Sequence, residues 1–321
     1  MKILITGATG FVGPYAAEAV RRIAGPDCEI VATARQAGEH RSLGVVEALD
    51  VTDAGAVRQS LAKHRPSHVL NLAGIASPAT AAQQPGLTWR VHVGGALNLA
   101  NGLLDVAPEA LLVHVGSGLV YGSSAIDGVP LDEAAAIAPV DSYAASKAAA
   151  DEALGALVRS GLRCVLMRPF NHTGPGQSED FVVPSFAARI ARIEAGLAEP
   201  VLDVGNLEAE RDFLDVRDVA DAYAMALMQA ESIPAGEVFN IGSGVPRRVQ
   251  SLLETLLSMS TVAIAVRQDP ARQRRNDLPR VVADSSRIGR QLGWQAKHDF
   301  GTTLANVLHY WREQGPDNVR R

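Results

Sequence analysis

The chain has 321 residues, 47% of them hydrophobic and 20% charged, and its formal net charge at pH 7 is −5. This composition is typical of a globular protein with a sizeable core, and the acidic balance speaks against general binding to nucleic acid, which needs a strongly basic surface. Two cysteines, Cys28 and Cys164, are too few for a thiol-rich metal cage, and we expect both to be unpaired, buried thiols.

Apolar runs bounded by turn residues alternate with helical patterns through the first half of the chain. The predicted strands cover residues Lys2–Thr6, Glu29–Ala34, 68–72, Leu111–Val115, 163–168 and, further on, Glu237–Ile241. The predicted helices cover residues 12–23, Ala54–His64, 86–106 and 142–160. Strands that are apolar throughout are typical of a parallel sheet with helices on both faces. The pattern therefore predicts an α/β protein with a Rossmann-type, doubly wound parallel sheet.

The pattern changes after Phe170, where residues 171–176 are rich in turn formers. The rest of the chain predicts helices at 181–196 and 216–231, a strand or loop at 200–213 and, from Val249 onward, a helix, a strand, a basic stretch at 272–280 and a final helix. We interpret residues 1–170 and 214–244 as the Rossmann domain. Residues 171–213 and 245–321 are interpreted as a smaller, discontinuous α/β lobe that binds the substrate.

A glycine-rich loop joins the first strand to the first helix and consists of Gly7, Ala8, Thr9, Gly10, Phe11, Val12 and Gly13. Glycine permits the tight turn, the approach of a pyrophosphate to the backbone and the close packing of helix on strand. Free N–H groups at the start of the helix then face the anion. The loop follows an N-terminal strand directly, so it predicts dinucleotide binding by Gly7 and residues 9–13.

The second strand ends at Ala34 without the Asp or Glu that commonly binds the adenosine ribose in NAD-preferring sites. Arg35 follows directly, and a guanidinium suits the 2′-phosphate of NADP(H) by charge and by geometry. We therefore expect NADP(H) to be preferred over NAD(H). Asp50 and Val51 follow the next apolar run, and from this position we expect them to contact the adenine.

Tyr143 and Lys147 lie four residues apart on a predicted helix, so both side chains project from one face. A nearby ammonium group favours the phenolate form of a tyrosine, which makes Tyr143 a candidate acid/base. Ser117 follows the strand Leu111–Val115, at the edge where open α/β sheets bind ligands, and its hydroxyl can bind a carbonyl oxygen. The order of glycine loop, strand-end serine and Tyr-Lys pair indicates one catalytic site.

These motifs, together with Asn71-Leu72-Ala73-Gly74 at a strand end, resemble those of the extended short-chain dehydrogenase/reductases over essentially the whole chain. The resemblance implies that Ser117, Tyr143 and Lys147 are catalytic residues. It implies that Tyr143 exchanges a proton with a sugar hydroxyl or carbonyl while a nicotinamide cofactor exchanges a hydride with the same carbon. Besides Tyr143 and Lys147, it implies cofactor contacts from Leu72, Ala73, Gly74 and Phe170.

Two features narrow the substrate. The 4,6-dehydratases of this family carry acidic residues directly after the catalytic Ser or Thr, where this chain has Gly118 and Leu119, so we expect a reductase or an epimerase. Residues 168–184, 211–216 and 269–274 resemble segments of GDP-4-keto-6-deoxy-D-mannose reductases and their GDP-sugar relatives. This resemblance implies a GDP-linked sugar, with two arginines on its diphosphate. The substrate-binding residues that it implies are Ser117, Gly118, Asn171, Val183, Arg211 and Arg272.

The leading hypothesis is an NADPH-dependent ketoreductase that converts GDP-4-keto-6-deoxy-D-mannose to GDP-D-rhamnose or GDP-6-deoxy-D-talose. A nucleotide-sugar 4-epimerase is the alternative. A non-catalytic NADP(H)-sensing protein is a third hypothesis, which the Tyr-Lys pair disfavours. We expect His92 and His114 to be packing residues and His172 to be hydrogen-bonded in its loop, and no set of side chains has the spacing of a metal site.

The N-terminus lacks the features of a signal peptide, and no apolar run approaches the ~18 residues of a membrane span. We therefore expect a cytoplasmic protein that does not bind membranes. The family resemblance also implies a homodimer, formed through the helices at 86–106 and 142–160.

Overall fold

The computed structural model describes residues 1–272 and 278–314. The strands of the protein in these ranges are β1 (Lys2–Thr6), β2 (Glu29–Ala34), β3 (Gly38–His40), β4 (Gly44–Ala48), β5 (His68–Asn71), β6 (Leu111–Val115), β7 (Cys164–Pro169), β8 (Asn171–Thr173), β9 (Val201–Val204), β10 (Glu210–Asp215), β11 (Glu237–Ile241), β12 (Pro246–Arg248), β13 (Ala265–Gln268) and β14 (Arg280–Val281). The helices are α1 (Val12–Ala24), α2 (Ala54–His64), α3 (Pro78–Gln83), α4 (Pro85–Trp89), α5 (Gly95–Val106), α6 (Ser142–Val158), α7 (Val182–Glu194), α8 (Val216–Met228), α9 (Val249–Ser258), α10 (Ser286–Leu292) and α11 (Phe300–Glu313). A π-helical turn, Arg90–Gly94, joins α4 to α5.

An eight-stranded sheet forms the centre of the fold, in the order β11-β7-β6-β5-β1-β2-β4-β3. Neighbouring strands are parallel except at the β3–β4 edge. Successive side chains of a strand enter opposite apolar layers. Ile3 and Ile5 of β1 pack with α1 and α8, whereas Leu4 packs with α2, α5 and α6. Helices thus cover both faces, and the predicted doubly wound α/β fold is confirmed.

Two smaller sheets follow in the second half of the chain. One has the order β12-β10-β14 with β8 beside β10, and the other pairs β13 with β9. Asp212 of β10 is fully buried, and its carboxylate accepts hydrogen bonds from the N–H groups of Ser243, Gly244 and Ala283 at 2.8 to 3.1 Å. This carboxylate joins the second sheet to the chain that leaves β11. The two-domain division, with limits at residues 170, 213 and 244, stays a prediction.

The fold differs from the prediction in its short elements. Strands β3 and β4 were not predicted because most of their residues are exposed, so they show no apolar alternation. Helix α10 was also missed, since it has seven residues and buries two of them. The predicted helix at 86–106 is continuous but includes the π-helical turn. Residues 273–277 of the predicted basic stretch lie outside the described residues.

The cysteines are unpaired, as expected, with Cys164 buried and Cys28 half-buried. Within residues 1–272 and 278–314, no helix combines the length and apolar character needed to cross a membrane. The same part of the chain contains no group of three His, Cys, Asp or Glu side chains that could hold a metal ion.

A methyl group at Gly13 is expected to destabilise the fold, because it would lie 1.9 Å from the carbonyl oxygen of Ala8. Helix α1 would have to move away from β1, so we expect Gly13→Ala to lower the free energy of unfolding by about 1–3 kcal/mol. Gly94→Ala is the control, since Gly94 has a helical φ of −60° and a Cβ there would meet no atom within 4 Å. That variant should keep its stability or gain up to ~1 kcal/mol. Urea denaturation measures both, and an unchanged Gly13→Ala would contradict this packing.

Candidate active site

The glycine loop lies against the carboxyl end of β5. Gly7 has a φ of +63°, and a Cβ there would be 2.8 Å from the backbone nitrogen of Ala73, so this crossing requires glycine. Helix α1 begins without a side-chain cap and without an acidic residue in its first turn, so no side chain of that turn offsets its positive end. The loop therefore has the shape and polarity that a pyrophosphate needs, and residues 7–13 fit a dinucleotide.

A cavity of about 340 Å³ opens between the glycine loop and the end of β2. Its lining includes the exposed Arg35 and one carboxylate, Glu39. Hydrogen bonds from Thr52 hold the pKa of Asp50 below its ordinary value, and the charge of Arg35 adds to this effect. Val51 is buried against the start of α5, so only its backbone could meet a ligand. The cavity offers an adenosine ribose both a cation and an acid.

Ser117, Tyr143 and Lys147 come together where β6 ends and α6 begins. The side chain of Asp141 caps α6 by accepting a hydrogen bond from a first-turn N–H at 2.8 Å. Lys147 Nζ donates a hydrogen bond to the carbonyl oxygen of Val115 at 2.9 Å, which ties α6 to β6. Tyr143, one turn earlier, is hydrogen-bonded to the Ser117 hydroxyl, and both side chains are buried. The structure thus brings the three predicted catalytic residues to one place.

Burial dominates the protonation of these groups. It raises the pKa of Tyr143 to about 12, although the hydrogen bond with Ser117 opposes the shift. It lowers the pKa of Lys147 to about 8, although Asp151 favours the charged form. The predicted lowering of the Tyr143 pKa by Lys147 is not found, because burial of the phenol determines the shift and the ammonium group is bonded to Val115. At neutral pH, Tyr143 is therefore protonated and can donate a proton.

The ring of Phe170 packs directly against Gly118. A Cβ on Gly118 would lie 2.6 Å from the Phe170 ring, so this position has room for glycine alone. His172 Nδ1 donates a hydrogen bond to the Phe170 carbonyl at 2.9 Å, as expected, but His172 lies in the short strand β8 and not in the predicted loop. Its ring stacks on Phe11 of the glycine loop, with 6.1 Å between the centroids. Asn171 follows Phe170 directly and is half-buried at the start of β8.

The other residues predicted to bind the substrate differ in exposure. Val183 is fully buried in the apolar cluster of α7, α9 and α11, so its side chain is not available and only its backbone could contact a ligand. Arg211 is half-buried on β10 and donates a hydrogen bond to the Glu210 carbonyl at 2.8 Å. Arg272 is exposed, 3.4 Å from the carboxylate of Asp269. The diphosphate role of both arginines stays a prediction.

Two buried groups near Lys147 were missed as candidate functional residues. Asp151 is 2% exposed and pairs with Arg168 at 2.9 Å. Its position four residues after Lys147 on one helix face is a signal that the sequence does contain. His92 is buried, as expected of a packing residue, but it is also hydrogen-bonded through both ring nitrogens. No sequence signal indicates this, because its orientation depends on the π-helical turn.

Several proteins that resemble this chain in sequence or fold have names that refer to nucleotide-sugar enzymes. Residues 3–242 match the NAD dependent epimerase/dehydratase family. The GDP-6-deoxy-D-mannose reductase of Pseudomonas aeruginosa is 36% identical over 250 residues, which cover 78% of this chain and 81% of the relative. The structure of RMD from Pseudomonas aeruginosa complexed with NADPH has a TM-score of 0.84 at 30% identity, over 98% of this chain and 99% of that one. The UDP-glucose 4-epimerase of Thermus thermophilus, in complex with NAD, has a TM-score of 0.84 at 26% identity, over 97% and 99%.

The family match covers both the glycine loop and the Ser-Tyr-Lys group, so the same segments carry the match and the candidate chemistry. The fold likeness extends over almost the whole chain. The chain belongs to the NAD dependent epimerase/dehydratase family, the extended short-chain dehydrogenase/reductases, and is an NAD(P)-dependent oxidoreductase.

Proposed function

We propose that the protein is an NADPH-dependent reductase of a nucleotide-linked 4-keto-6-deoxyhexose, with GDP-4-keto-6-deoxy-D-mannose as the preferred substrate. The observation that carries the proposal is a buried Tyr143, protonated at neutral pH and hydrogen-bonded to Ser117, because ketone reduction needs such a proton donor. Positions 118 and 119 hold glycine and leucine, so the carboxylates that dehydration requires are absent there. The similarity to the reductase of Pseudomonas aeruginosa supports a GDP-linked sugar.

The residues of the site have separate tasks in this reaction. Bound NADPH would supply the hydride that reduces C4. Tyr143 donates its proton to the C4 oxygen as charge develops there, and the Ser117 hydroxyl steadies that oxygen. Lys147, whose ammonium group is held by the Val115 carbonyl, would orient the bound cofactor. The sugar face that meets the cofactor decides between GDP-D-rhamnose and GDP-6-deoxy-D-talose.

The likeness to a UDP-glucose 4-epimerase supports a second candidate, a nucleotide-sugar 4-epimerase. Such an enzyme would use the same Tyr143 and Lys147 but would consume no NADPH overall. A non-catalytic NADP(H)-sensing protein is disfavoured, since it has no use for the assembled Ser-Tyr-Lys group. The homodimer through α5 and α6, and the cytoplasmic location, stay predictions.

Turnover with three keto sugars tests the substrate. We expect NADPH oxidation with GDP-4-keto-6-deoxy-D-mannose, and rates at least about 100-fold lower with the dTDP- and UDP-linked 4-keto sugars. Tyr143→Phe tests the proton donor in the same assay. It should lower kcat by about 10²–10⁴ while NADPH affinity stays within about twofold. Nuclear magnetic resonance of the product gives the C4 configuration. No NADPH oxidation with any keto sugar would rule out the reductase, and C4 epimers interconverting without it would establish the epimerase.

The pKa of Lys147 predicts how the reduction rate depends on pH. Because burial lowers this pKa from 10.5 to about 8, Lys147 loses its charge above about pH 8, and kcat should fall by up to about tenfold per pH unit. The free energy of unfolding, by contrast, should rise with pH between 8 and 10.5, because over this range the unfolded chain binds more protons at Lys147 than the folded chain does. Lys147→Arg keeps a charge over this range, so its residual rate should show no such fall. The same fall in Lys147→Arg would mean that another group titrates.

Cofactor choice should depend on Arg35. Arg35→Ala removes the cation suited to a 2′-phosphate, so we expect the KM for NADPH to rise about tenfold while the KM for NADH changes less than about twofold. Glu39→Gln alters the same cavity without removing that cation and should leave the NADPH preference unchanged or stronger. Steady-state kinetics with both cofactors measures the ratio. If Arg35→Ala weakened both cofactors equally, Arg35 would not distinguish them.

A further inference from the structure

His92 is a buried titratable group that the reaction above does not use. It is 2% exposed and lies in the π-helical turn Arg90–Gly94 between α4 and α5. A π-helical turn contains one extra residue, which re-aims side chains and is frequent at functional sites. Here it directs the imidazole edge-on to the ring of Tyr143, with 5.5 Å between the centroids and 86° between the planes.

The hydrogen bonds of His92 form a directed chain. The N–H of Ile75 donates to His92 Nε2 at 3.0 Å. The Ser146 hydroxyl donates to the carbonyl oxygen of Tyr143 at 2.7 Å, so at 2.8 Å its oxygen accepts from His92 Nδ1. This chain specifies the neutral imidazole with its proton on Nδ1. Burial and the charge of Lys147 lower the pKa of His92 to about 3, in agreement with a permanently neutral ring.

The same imidazole borders the cofactor side of the site. A Cβ on Gly74 would lie 3.4 Å from His92 Nε2 and 3.4 Å from Lys147 Nζ, so these two groups enclose the residue from two directions. Residues 73–75 form one wall of the site, and this wall and the first turn of α6 both lie against the imidazole ring of His92.

We propose that His92 is a positioning residue, which fixes Tyr143 and the wall at Gly74 and Ile75 in one arrangement for proton transfer without exchanging a proton itself. The inference rests on the proposed role of Tyr143 as the acid. A neutral imidazole with a hydrogen bond at each ring nitrogen suits this task, because a protonated ring would present a second N–H to the N–H of Ile75. Small misplacement of a proton donor is costly for the rate but has little effect on binding.

Kinetics of His92→Phe tests this role. Phenylalanine keeps the aromatic edge but removes both hydrogen bonds, so we expect kcat to fall about 10- to 100-fold while the KM for NADPH stays within about threefold. His92→Asn places an amide N–H close to the position of Nδ1 and should recover most of the lost kcat. His309→Phe, on the exposed face of α11, is the matched control and should behave as wild type.

Ser146→Ala tests the same positioning role if His92→Phe does not fold. It removes the middle of the hydrogen-bond chain and should also lower kcat with little change in KM, and combining it with a folded His92→Phe should add little further loss. The proposal is wrong if His92→Phe keeps kcat within about twofold of wild type, if only KM changes, or if the two losses are additive. Tyr143→Phe, measured in parallel, separates the two ideas. Activity retained in Tyr143→Phe would refute the proposed acid, whereas an inactive Tyr143→Phe beside a fully active His92→Phe would refute the role of His92 alone.

Discussion

The buried ammonium group of Lys147 is the constraint on which the arrangement of the site depends. A charge at 7% exposure is costly unless it is compensated; the Val115 carbonyl accepts a hydrogen bond from the ammonium group, and the charge of Asp151 favours its protonated form. Asp151 is in turn paired with Arg168 of β7. These contacts set how α6 lies on β6 and β7. Tyr143, one turn before Lys147, is carried by the same helix to the end of β6.

Parallel strands explain why residues far apart in sequence meet. The carboxyl ends of β1, β5 and β6 lie at one edge of the sheet and deliver the glycine loop, residues 72–74 and Ser117. Asp212 extends this edge, because its carboxylate binds the chain that leaves β11. The second sheet is thus joined to the main sheet by hydrogen bonds to a buried carboxylate.

The main sheet was predictable because its strands are apolar runs bounded by turn residues, and the predicted limits of β1, β2, β6 and β11 agree with the structure. Strand ends and helix spacing were enough to bring Ser117, Tyr143 and Lys147 together. The π-helical turn at His92 depends on tertiary contacts, and a 3.6-residue period does not indicate it. Val183 shows a different limit, since a motif position does not reveal whether side chain or backbone faces a ligand.

The contact between Gly118 and the ring of Phe170 restricts which side chains single mutations can place after Ser117. A carboxylate at 118 would need a Cβ that would lie 2.6 Å from that ring, so of the two positions after Ser117 only 119 can take one without moving Phe170. For an acid at 118, Phe170 would first have to become smaller, and that change alone would remove the ring that packs against Gly118. The two positions are therefore epistatic, because a side chain at 118 is accommodated only after Phe170 has become smaller.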